Sequence, residues 1–459
     1  MSTVLEPVPA LRDPNVVASL GSTKHSRGTS IWEIVSRWHF AQDPSQAYWW
    51  THTGPYLALM LKEANYPTEK QFEYMLFYYH WIIPQLGLGP RPDGSFKWSS
   101  NLTADGTPLQ FCWNWNNRET KPEIRTSFVP IGPCTGTPGD PLNHNAAIDL
   151  HRRFASINPA TDLAWFEYFL SAIYEQDNEK IARETEERFG GVFGESVLAC
   201  FEFKNKTPVM KTYLWPRLLG YHMMTPYPVI EPAVRALLGP STAALDLLDE
   251  FLHTNPVGKA MAPTMIAIDN KPSSRLKWYF HSPSTTFASV RQVMTLGGRI
   301  QGIDHELESL CDLIKATFPL PSDFPDDAEV TKAWQTPAYA KKNFDDRTEF
   351  LSGYLYYFDI APGSQVPGIK FYAQTRLLGT DDLTLAKGIT SWMKAHGRGK
   401  YCDNYMRVLE GLAEGPLEQS KGLHAHISFM SKDGEIDVSS YLSTGLFNRT
   451  KHAAGNAAN

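Results

Sequence analysis

The amino-acid sequence predicts an α/β fold in which a closed ten-stranded antiparallel β-barrel is surrounded by helices in αββα repeats. Short alternating apolar segments recur in pairs, turn-forming residues separate the members of each pair, and helical segments lie between the pairs. Hairpins join antiparallel strands, so a parallel sheet is excluded. An open sheet of this size would curl or leave unpaired edges, and closure removes them. Because so many strands enclose more space than side chains fill, a solvent-reachable cavity is expected inside.

Five predicted hairpins carry the strands, and turn residues such as Asn270-Lys-Pro272 separate their members. The paired segments are residues 111–115 with 124–131, 196–204 with 208–215, 264–269 with 275–281, 353–360 with 369–375, and 423–430 with 436–442. Helical periodicity precedes each hairpin in turn. The predicted helices are residues 45–64 and 69–83, then 162–187 (broken in its middle), 230–253, 286–296 and 304–317, and 383–396 and 403–412.

The composition is that of an ordinary globular protein. The 459 residues are 42% hydrophobic and 20% charged, enough for one large domain or two small ones. No linker interrupts the repeats, so a single domain is expected over residues 29–447. A flexible leader (1–28), which lacks the apolar core of a signal peptide, and a disordered tail (448–459) are expected to flank it.

Charge and cysteine usage exclude several classes of partner. The net charge of −6 argues against binding to nucleic acid or to acidic membranes. No run of about 18 apolar residues predicts a transmembrane helix. The five cysteines are scattered, odd in number and without C-x-x-C spacing, which favours a reducing, cytoplasmic location and argues against a metal cluster. The sequence is compatible with a homodimer.

One motif, a lysine followed two residues later by a tyrosine, occurs on three predicted strands. The copies are Lys211-Thr-Tyr213, Lys277-Trp-Tyr279 and Lys370-Phe-Tyr372, and Arg125 and Arg275 also lie on or beside predicted strands. Residues i and i+2 of a strand share a face, so each lysine points the same way as its tyrosine. One copy would be a coincidence on half-buried strands, whereas three copies with two arginines favour a functional site.

These side chains are expected to face the barrel interior. If they faced outward, helices would pack on unpaired lysines, at a cost of several kcal/mol each. The intervening Trp278 and Phe371 suit an exterior covered by helices. An interior with five cations needs a multiply charged anion, and a diphosphate fits. If the diphosphate carries an isoprenoid, its departure leaves an allylic cation that the tyrosine rings would stabilise by roughly 0.5–2 kcal/mol each.

Metal sites are not expected. The nearest match to an Asp-Asp-x-x-Asp magnesium motif is Asp345-Asp346-Arg-Thr-Glu349, in a single copy in a loop. His424 and His426 lie two apart on a predicted strand, but no acidic residue has ligand spacing to them. Walker, G-x-S-x-G and G-x-G-x-x-G motifs are missing from the sequence.

The sequence resembles the fungal dimethylallyltryptophan synthase family of aromatic prenyltransferases from about Trp32 to Leu446. The resemblance implies the same closed barrel, metal-independent catalysis, no cofactor and a role in secondary metabolism. Its landmarks are Tyr48-Trp-Trp50, Gly106-Thr-Pro108, Ile124-Arg-Thr-Ser-Phe128, Lys211-Thr-Tyr213, Arg275-Leu-Lys-Trp-Tyr279, Thr295-Leu-Gly-Gly298 and Ser439-Ser-Tyr441.

The resemblance also implies roles for particular residues. The diphosphate-binding positions fall on Arg125, Lys211, Arg275, Lys277, Lys370 and Lys432, and the tyrosine shield on Tyr213, Tyr279, Tyr372 and Tyr441. Trp215 and His426 replace tyrosines of the family. Lys370 and Lys432 stand where some relatives have Gln and Arg. All four departures are compatible with binding a diphosphate and shielding a cation.

The acceptor side departs further from the family. Gln110 replaces a Glu that accepts the indole N–H, and Leu198 and Thr264 replace the Lys and Arg of members that use free tryptophan. Gln still accepts a hydrogen bond but is a poor base. We therefore expect an indole alkaloid other than free tryptophan, such as a cyclic dipeptide or an indole diterpene. A phenolic polyketide is almost equally favoured.

Leu355 stands where relatives set the isoprenoid length, and Leu102 is expected in the same pocket. Dimethylallyl diphosphate is the default donor, and geranyl diphosphate is compatible too. Two rival functions remain open. A barrel that carries a hydrophobic ligand would not need cations beside the aromatics, and a diphosphate hydrolase would release diphosphate without any acceptor.

Overall fold

The computed structural model describes residues 29–38, 43–115, 120–189, 195–204, 207–221, 225–240, 242–331, 353–375, 379–432 and 434–457, without the side chains of 188–189, 432 and 456–457. The predicted leader (1–28) lies outside these ranges. Among the described helices, each is too short or too polar to cross a bilayer.

Ten antiparallel strands close into one barrel, which confirms the predicted fold class. Around the barrel each strand pairs with its neighbour in sequence, and β1 pairs with β10 to complete the circle. The strands are β1 (Leu109–Asn114), β2 (Glu123–Phe128), β3 (Val197–Glu202), β4 (Val209–Leu214), β5 (Ala262–Asp269), β6 (Leu276–Ser282), β7 (Tyr354–Ile360), β8 (Gly368–Ala373), β9 (His424–Lys432) and β10 (Glu435–Ser443).

Helices cover the outside of the barrel. They are α1 (Ile31–Trp38), α2 (Pro44–Glu63), α3 (Thr68–Phe77), α4 (Asn145–Ile157), α5 (Ala164–Ala172), α6 (Asn178–Phe189), α7 (Tyr227–Leu238), α8 (Ala243–Thr254), α9 (Pro256–Lys259), α10 (Phe287–Met294), α11 (Asp304–Thr317), α12 (Asp382–Ala395), α13 (Cys402–Leu412) and α14 (Leu446–Ala457). Side-chain caps start several of them: Asp43 accepts from the Gln46 N–H at 2.8 Å, and Asp381 accepts from the Thr384 N–H at 2.8 Å.

The alternation along each strand separates two environments. Outward side chains such as Trp113, Trp278 and Phe371 are fully or almost fully buried beneath the helices. Burying a large apolar side chain stabilises the fold by about 1.5–3 kcal/mol. This outer layer is therefore the main hydrophobic core, and the inner faces of the strands are left for other chemistry.

Local chemistry explains where the helices differ from the prediction. The segment 162–187 is broken as predicted, into α5 and α6. The segment 230–253 is also broken, because Gly239 takes a positive φ of 71° and Pro240 follows it. Helix α4 was not predicted, although its buried Leu150 and Phe154 have helical spacing.

The prediction of a disordered tail is wrong over residues 448–457, which belong to α14. Asp105 accepts from the Phe447 N–H at 2.9 Å and so holds the start of the helix. Arg449 Nη2 donates to the Leu412 carbonyl oxygen at 2.6 Å. These are contacts with distant residues, which local composition does not reveal.

Candidate active site

The inner faces of the strands form a cavity at the end of the barrel where strands connect to helices. It holds about 850 Å³ of space free of protein atoms, including its open mouth. Every uncharged site residue predicted from the sequence lines it. The lining residues are Asn101, Leu102, Gln110, Ser127, Leu198, Tyr213, Trp215, Thr264, Met265, Tyr279, Leu355, Tyr372, Gln374, His426 and Tyr441. None of these described lining residues is Asp, Glu, Lys or Arg.

The four predicted shield tyrosines form one continuous cluster of rings. Ring centroids of Tyr213 and Tyr279 lie 6.1 Å apart, those of Tyr279 and Tyr372 5.8 Å, and those of Tyr372 and Tyr441 5.9 Å. Tyr357, which sequence reasoning missed, joins them at 5.2 Å from Tyr279. Burial raises the pKa of all five phenols, so they stay neutral.

The predicted cations lie deeper, towards the end of the barrel that carries the hairpin turns. Each occupies the same strand face as the cavity residues, which agrees with the predicted inward orientation. The side chains of Lys277 and Lys370 are only 7% and 4% exposed, whereas that of Arg275 is 31% exposed. The side chain of Lys432 lies outside the described residues.

Carboxylates that the sequence reasoning missed accompany these cations. Glu202 bonds Lys211 and lies 3.0 Å from Arg125 Nε. Asp269 lies 2.5 Å from Lys277 Nζ. The expectation that five cations in the interior need a multiply charged anion is therefore wrong in part, since carboxylates of the protein already balance them.

Two further carboxylates contact the remaining cations, and Glu123 also lies 3.0 Å from Arg125 Nε. Asp359 lies 2.6 Å from Arg275 Nη1, and Asp437 lies 3.6 Å from Lys370 Nζ while accepting from Asn114 at 2.6 Å. We call the whole set the charged ring. Its members are Arg125, Glu202, Lys211, Asp269, Arg275, Lys277, Asp359, Lys370 and Asp437.

From β2 to β8 the charged ring alternates in sign from strand to strand. Bases stand on β2, β4, β6 and β8, and acids on β3, β5, β7 and β10. The cross-strand register sets them opposite each other: Arg125 pairs with Glu202, Lys211 with Asp269, and Lys277 with Asp359. Opposite charges at facing positions attract, so the arrangement holds the cations without any ligand.

The electrostatics of the ring leave one lysine close to deprotonation. Burial and the neighbouring Lys211 lower the pKa of Lys277 to about 8, and Asp269 limits the fall. Burial also lowers the pKa of Lys370. Burial alone would raise the pKa of Asp269, but Lys277 and Lys211 outweigh it and bring that pKa to about 2. Because neighbouring cations also lower the pKa of Glu202 and Asp437, these two and Asp269 are ionised at neutral pH, and Lys277 lies close to deprotonation.

Comparison with known proteins identifies this arrangement. A family model described as tryptophan dimethylallyltransferase matches residues 45–408. The chain belongs to that family. The resemblance inferred from the sequence is thereby confirmed, and so is aromatic prenyl transfer as the reaction class.

Relatives of this family member span most of its length. Xanthone prenyltransferase A of Emericella nidulans is 43% identical and covers 90% of this chain and 96% of that relative. Prenyltransferase anuH of Penicillium roqueforti is 42% identical, covering 91% and 93%. Xanthone prenyltransferase B of Emericella nidulans is 37% identical, covering 91% and 92%.

Solved structures share the fold at low sequence identity. AnaPT from Neosartorya fischeri superposes with a TM-score of 0.73 at 19% identity, covering 91% of this chain and 98% of that one. NotF in complex with brevianamide F and DMSPP gives a TM-score of 0.70 at 22% identity, covering 90% and 98%. At these identities the likeness establishes the barrel alone.

Two bulges decide which side chains of this dimethylallyltransferase-family barrel reach the cavity. An irregularity at Pro263–Met265 in β5 lets the consecutive residues Thr264 and Met265 both line it. A second one lies in β9, where Ala425 is the extra residue between His424 and His426, opposite Tyr441 and Leu442 of β10. His426 lines the cavity.

His424 instead lies in the helical layer. Its Nδ1 bonds Asp382 at 2.8 Å and its Nε2 bonds Tyr405 at 2.9 Å. The two histidines therefore do not share a face. Within the described ranges, no group of three or more His, Cys, Asp or Glu side chains has the geometry of a metal site. The motif at Asp345–Glu349 lies outside the described residues.

The acceptor side of the cavity includes a loop held by a buried acid. Glu195 accepts from the Ser100 hydroxyl at 3.0 Å and from the Asn101 N–H at 2.6 Å. This fixes Asn101 and Leu102 at the cavity wall. Close by in the wall, the buried amide nitrogen of Gln110 has no hydrogen-bond partner among the described residues. Rotation of its terminal amide, a soft torsion, would offer either a donor or an acceptor to a bound molecule.

Proposed function

We propose that this enzyme transfers a dimethylallyl group from its diphosphate to a hydroxylated, polycyclic aromatic acceptor. One observation carries the donor side of the proposal: an uncharged cavity lined with neutral tyrosines opens, on the same strand faces, onto a ring of buried cations. A prenyl diphosphate has the same division into an apolar chain and a charged head.

The diphosphate is assigned to the cations of the charged ring and to Lys432. These hold the leaving group while the bond between the allylic carbon and the diphosphate oxygen breaks. The electron pair of that bond leaves with the diphosphate. Positive charge that is already in place needs no reorganisation at this moment, which is the main source of electrostatic catalysis.

The resulting allylic cation is assigned to the tyrosine cluster. Its rings stand between the charged ring and the acceptor end, so the cation meets aromatic faces and little water. Each ring face contributes about 0.5–2 kcal/mol. The electron-rich carbon of the acceptor then forms the new bond, and a proton leaves that carbon to the released diphosphate or to water.

An uncharged wall favours an acceptor without an amino-acid group. Leu198 and Thr264 offer no ion pair for an ammonium or a carboxylate, and Thr264 donates to the Tyr279 carbonyl oxygen at 3.3 Å. Gln110 suits a phenol, which both donates and accepts hydrogen bonds. Two relatives that match over most of the chain are named xanthone prenyltransferases, which favours a phenolic acceptor over an indole alkaloid.

The test is an acceptor screen with dimethylallyl diphosphate, read by mass spectrometry and by diphosphate release. A hydroxyxanthone, a tryptophan-containing cyclic dipeptide and free tryptophan are supplied separately, each with and without EDTA. We expect one added C₅H₈ unit on the hydroxyxanthone, no product with free tryptophan, and no effect of EDTA. Preference for the cyclic dipeptide would move the acceptor to the indole class.

Two controls separate the rival functions. Diphosphate release that needs no acceptor would indicate a diphosphate hydrolase. Retention of the donor without any release would indicate a carrier barrel. Geranyl diphosphate in place of the dimethylallyl donor tests whether Leu355 restricts the chain length.

A further inference from the structure

Asp269 stands at the centre of the cations on one side of the charged ring. Its Oδ1 lies 2.5 Å from Lys277 Nζ and 3.9 Å from Lys211 Nζ. Its Oδ2 lies 3.6 Å from Arg275 Nη2. Asp269 is 3% exposed, so water screens these contacts poorly. One carboxylate on β5 thus contacts cations of both neighbouring strands, β4 and β6.

We propose that Asp269 is a positioning residue that holds these three cations in place for the diphosphate of the donor. The inference rests on the proposed diphosphate site and adds a residue that does not itself contact the donor. Three like charges that converge in a buried space repel one another unless a fixed anion lies between them. Asp269 lies between them, and it ends β5 beside the turn, where the backbone fixes its position.

No other described carboxylate is an equivalent partner of Lys277. Glu202 contacts Arg125, Lys204 and Lys211, and Asp437 contacts Lys370 on the other side of the ring. The charged groups that act on Lys277 are Lys211 from β4, Asp269 from β5 and Asp359 from β7. Since Lys211 repels it, loss of the negative charge on Asp269 makes the protonated form of Lys277 less favourable.

This gives a readout that a purely structural role would not change. The pKa of Lys277 is about 8, and only its charged form attracts the diphosphate. For the wild-type enzyme, kcat/KM for the prenyl diphosphate should therefore fall as the pH rises through this value. In Asp269→Asn, which keeps the shape and removes the charge, we expect this alkaline limb about one pH unit or more lower.

The experiment compares pH profiles of kcat/KM for dimethylallyl diphosphate at saturating acceptor. Asp149→Asn, which removes an exposed aspartate on α4 far from the ring, is the matched control and should keep the wild-type profile. An Asp269→Asn enzyme that is folded and keeps the wild-type limb overturns the inference.

A third variant separates this inference from the proposed site. Arginine does not titrate in this range, so Lys277→Arg should remove the alkaline limb. If Lys277→Arg leaves the limb in place, the limb belongs to another group, and both the assignment of Lys277 to the diphosphate and the positioning role fail. If Lys277→Arg removes it but Asp269→Asn does not shift it, the positioning role alone fails.

If Asp269→Asn does not fold, Asp269→Glu tests the same inference. It keeps the charge and displaces it by one methylene. We expect kcat/KM for the donor to fall about tenfold or more, as misplacement of binding groups commonly causes, with the KM of the acceptor unchanged. Wild-type kcat/KM in this variant would contradict the proposal.

Discussion

The two ends of the barrel interior are built from the same ten strands, yet they differ completely in charge. At the end with the hairpin turns, bases and acids of the charged ring alternate from β2 to β8. At the other end, the part of the cavity wall that the structure describes has no Asp, Glu, Lys or Arg. One continuous strand face thus presents paired charges and an uncharged, aromatic wall within a few residues.

The comparison shows how a barrel keeps cations buried before its ligand arrives. A buried charge without a partner costs several kcal/mol, so bare lysines would destabilise the fold. The carboxylates of β3, β5, β7 and β10 supply partners within the protein. The cavity end needs no such pairing, since neutral tyrosines carry no charge to compensate. Substitutions at the two ends are therefore expected to fail in different ways.

The largest effect is expected at the charged end. Lys277→Ala removes a buried ammonium assigned to the diphosphate and leaves Asp269 short of its nearest cation. We expect kcat/KM to fall about 1,000-fold or more, as for other buried charge contacts, with the circular dichroism spectrum retained. Lys259→Ala, on the exposed surface of α9, is the control and should behave as wild type. Full activity in a folded Lys277→Ala enzyme would remove the site assignment.

A smaller effect is expected where the two ends meet. Tyr279→Leu removes a ring that lies between Tyr213, Tyr357 and Tyr372. The loss of one cation–π contact corresponds to a fall of up to about thirtyfold in kcat. The fraction of prenyl alcohol among the products should rise, because water reaches the cation. Tyr279→Phe keeps the ring and is the matched control, so equal losses in the two variants would refute a role for the aromatic face.

Substitutions at the two ends of the interior should also differ in how the free energy of unfolding changes at acidic pH. The pKa of Asp269 is about 2 in the folded protein, below its ordinary value of 3.8. A carboxyl group with a depressed folded pKa stabilises the fold above its unfolded pKa, and this contribution is lost as the pH falls from about 4 to about 2. The wild type should lose about 2 kcal/mol of unfolding free energy from this group over that window.

Urea denaturation at several pH values measures this loss. Asp269→Asn should have a flatter dependence on pH between 4 and 2, since the group no longer titrates. Tyr279→Phe, at the uncharged end, should keep the wild-type slope. A wild-type slope in Asp269→Asn would mean that the ion pairs of Asp269 do not contribute to acid stability.

The sequence alone predicted the fold and the five bases of the charged ring. Hairpins that alternate with helices left closure as the natural solution, and repetition of the Lys-x-Tyr motif marked the bases. The acids were missed because they belong to no repeated motif. Each lies beside a turn, where acidic residues are common. A signal was nevertheless present: Leu198 and Glu202, like Leu355 and Asp359, are four residues apart and so share a strand face.

Other features depend on contacts that no local pattern contains. Thr264 lines the cavity beside Met265 because of a bulge, and His424 is directed into the helical layer through another. Helix α14 has a composition typical of a disordered tail, and it is held by contacts of Arg449 and Asp105 with residues far away in the sequence. Cross-strand register and long-range contacts are properties of the folded chain.

The smallest predicted effect concerns the choice of acceptor at the uncharged end. Gln110→Glu introduces a carboxylate that accepts an indole N–H but cannot donate to a phenolic or carbonyl oxygen. Exchange of one such hydrogen bond is worth about 1 kcal/mol. We therefore expect the ratio of kcat/KM for a cyclic dipeptide over a hydroxyxanthone to rise about fivefold. Competition between both acceptors, followed by mass spectrometry, measures this ratio directly.

A matched variant shows whether the effect is local. Gln292→Glu adds the same charge on α10, where Gln292 bonds Asn255 outside the barrel. It should leave the ratio unchanged. A rise in both variants would trace the shift to overall charge, and no rise in either would mean that Gln110 does not contact the acceptor. Since the described lining residues include no acid, a carboxylate at position 110 would also be the first negative charge among them. The activity of Gln110→Glu therefore also tests whether the acceptor end of the interior must remain uncharged.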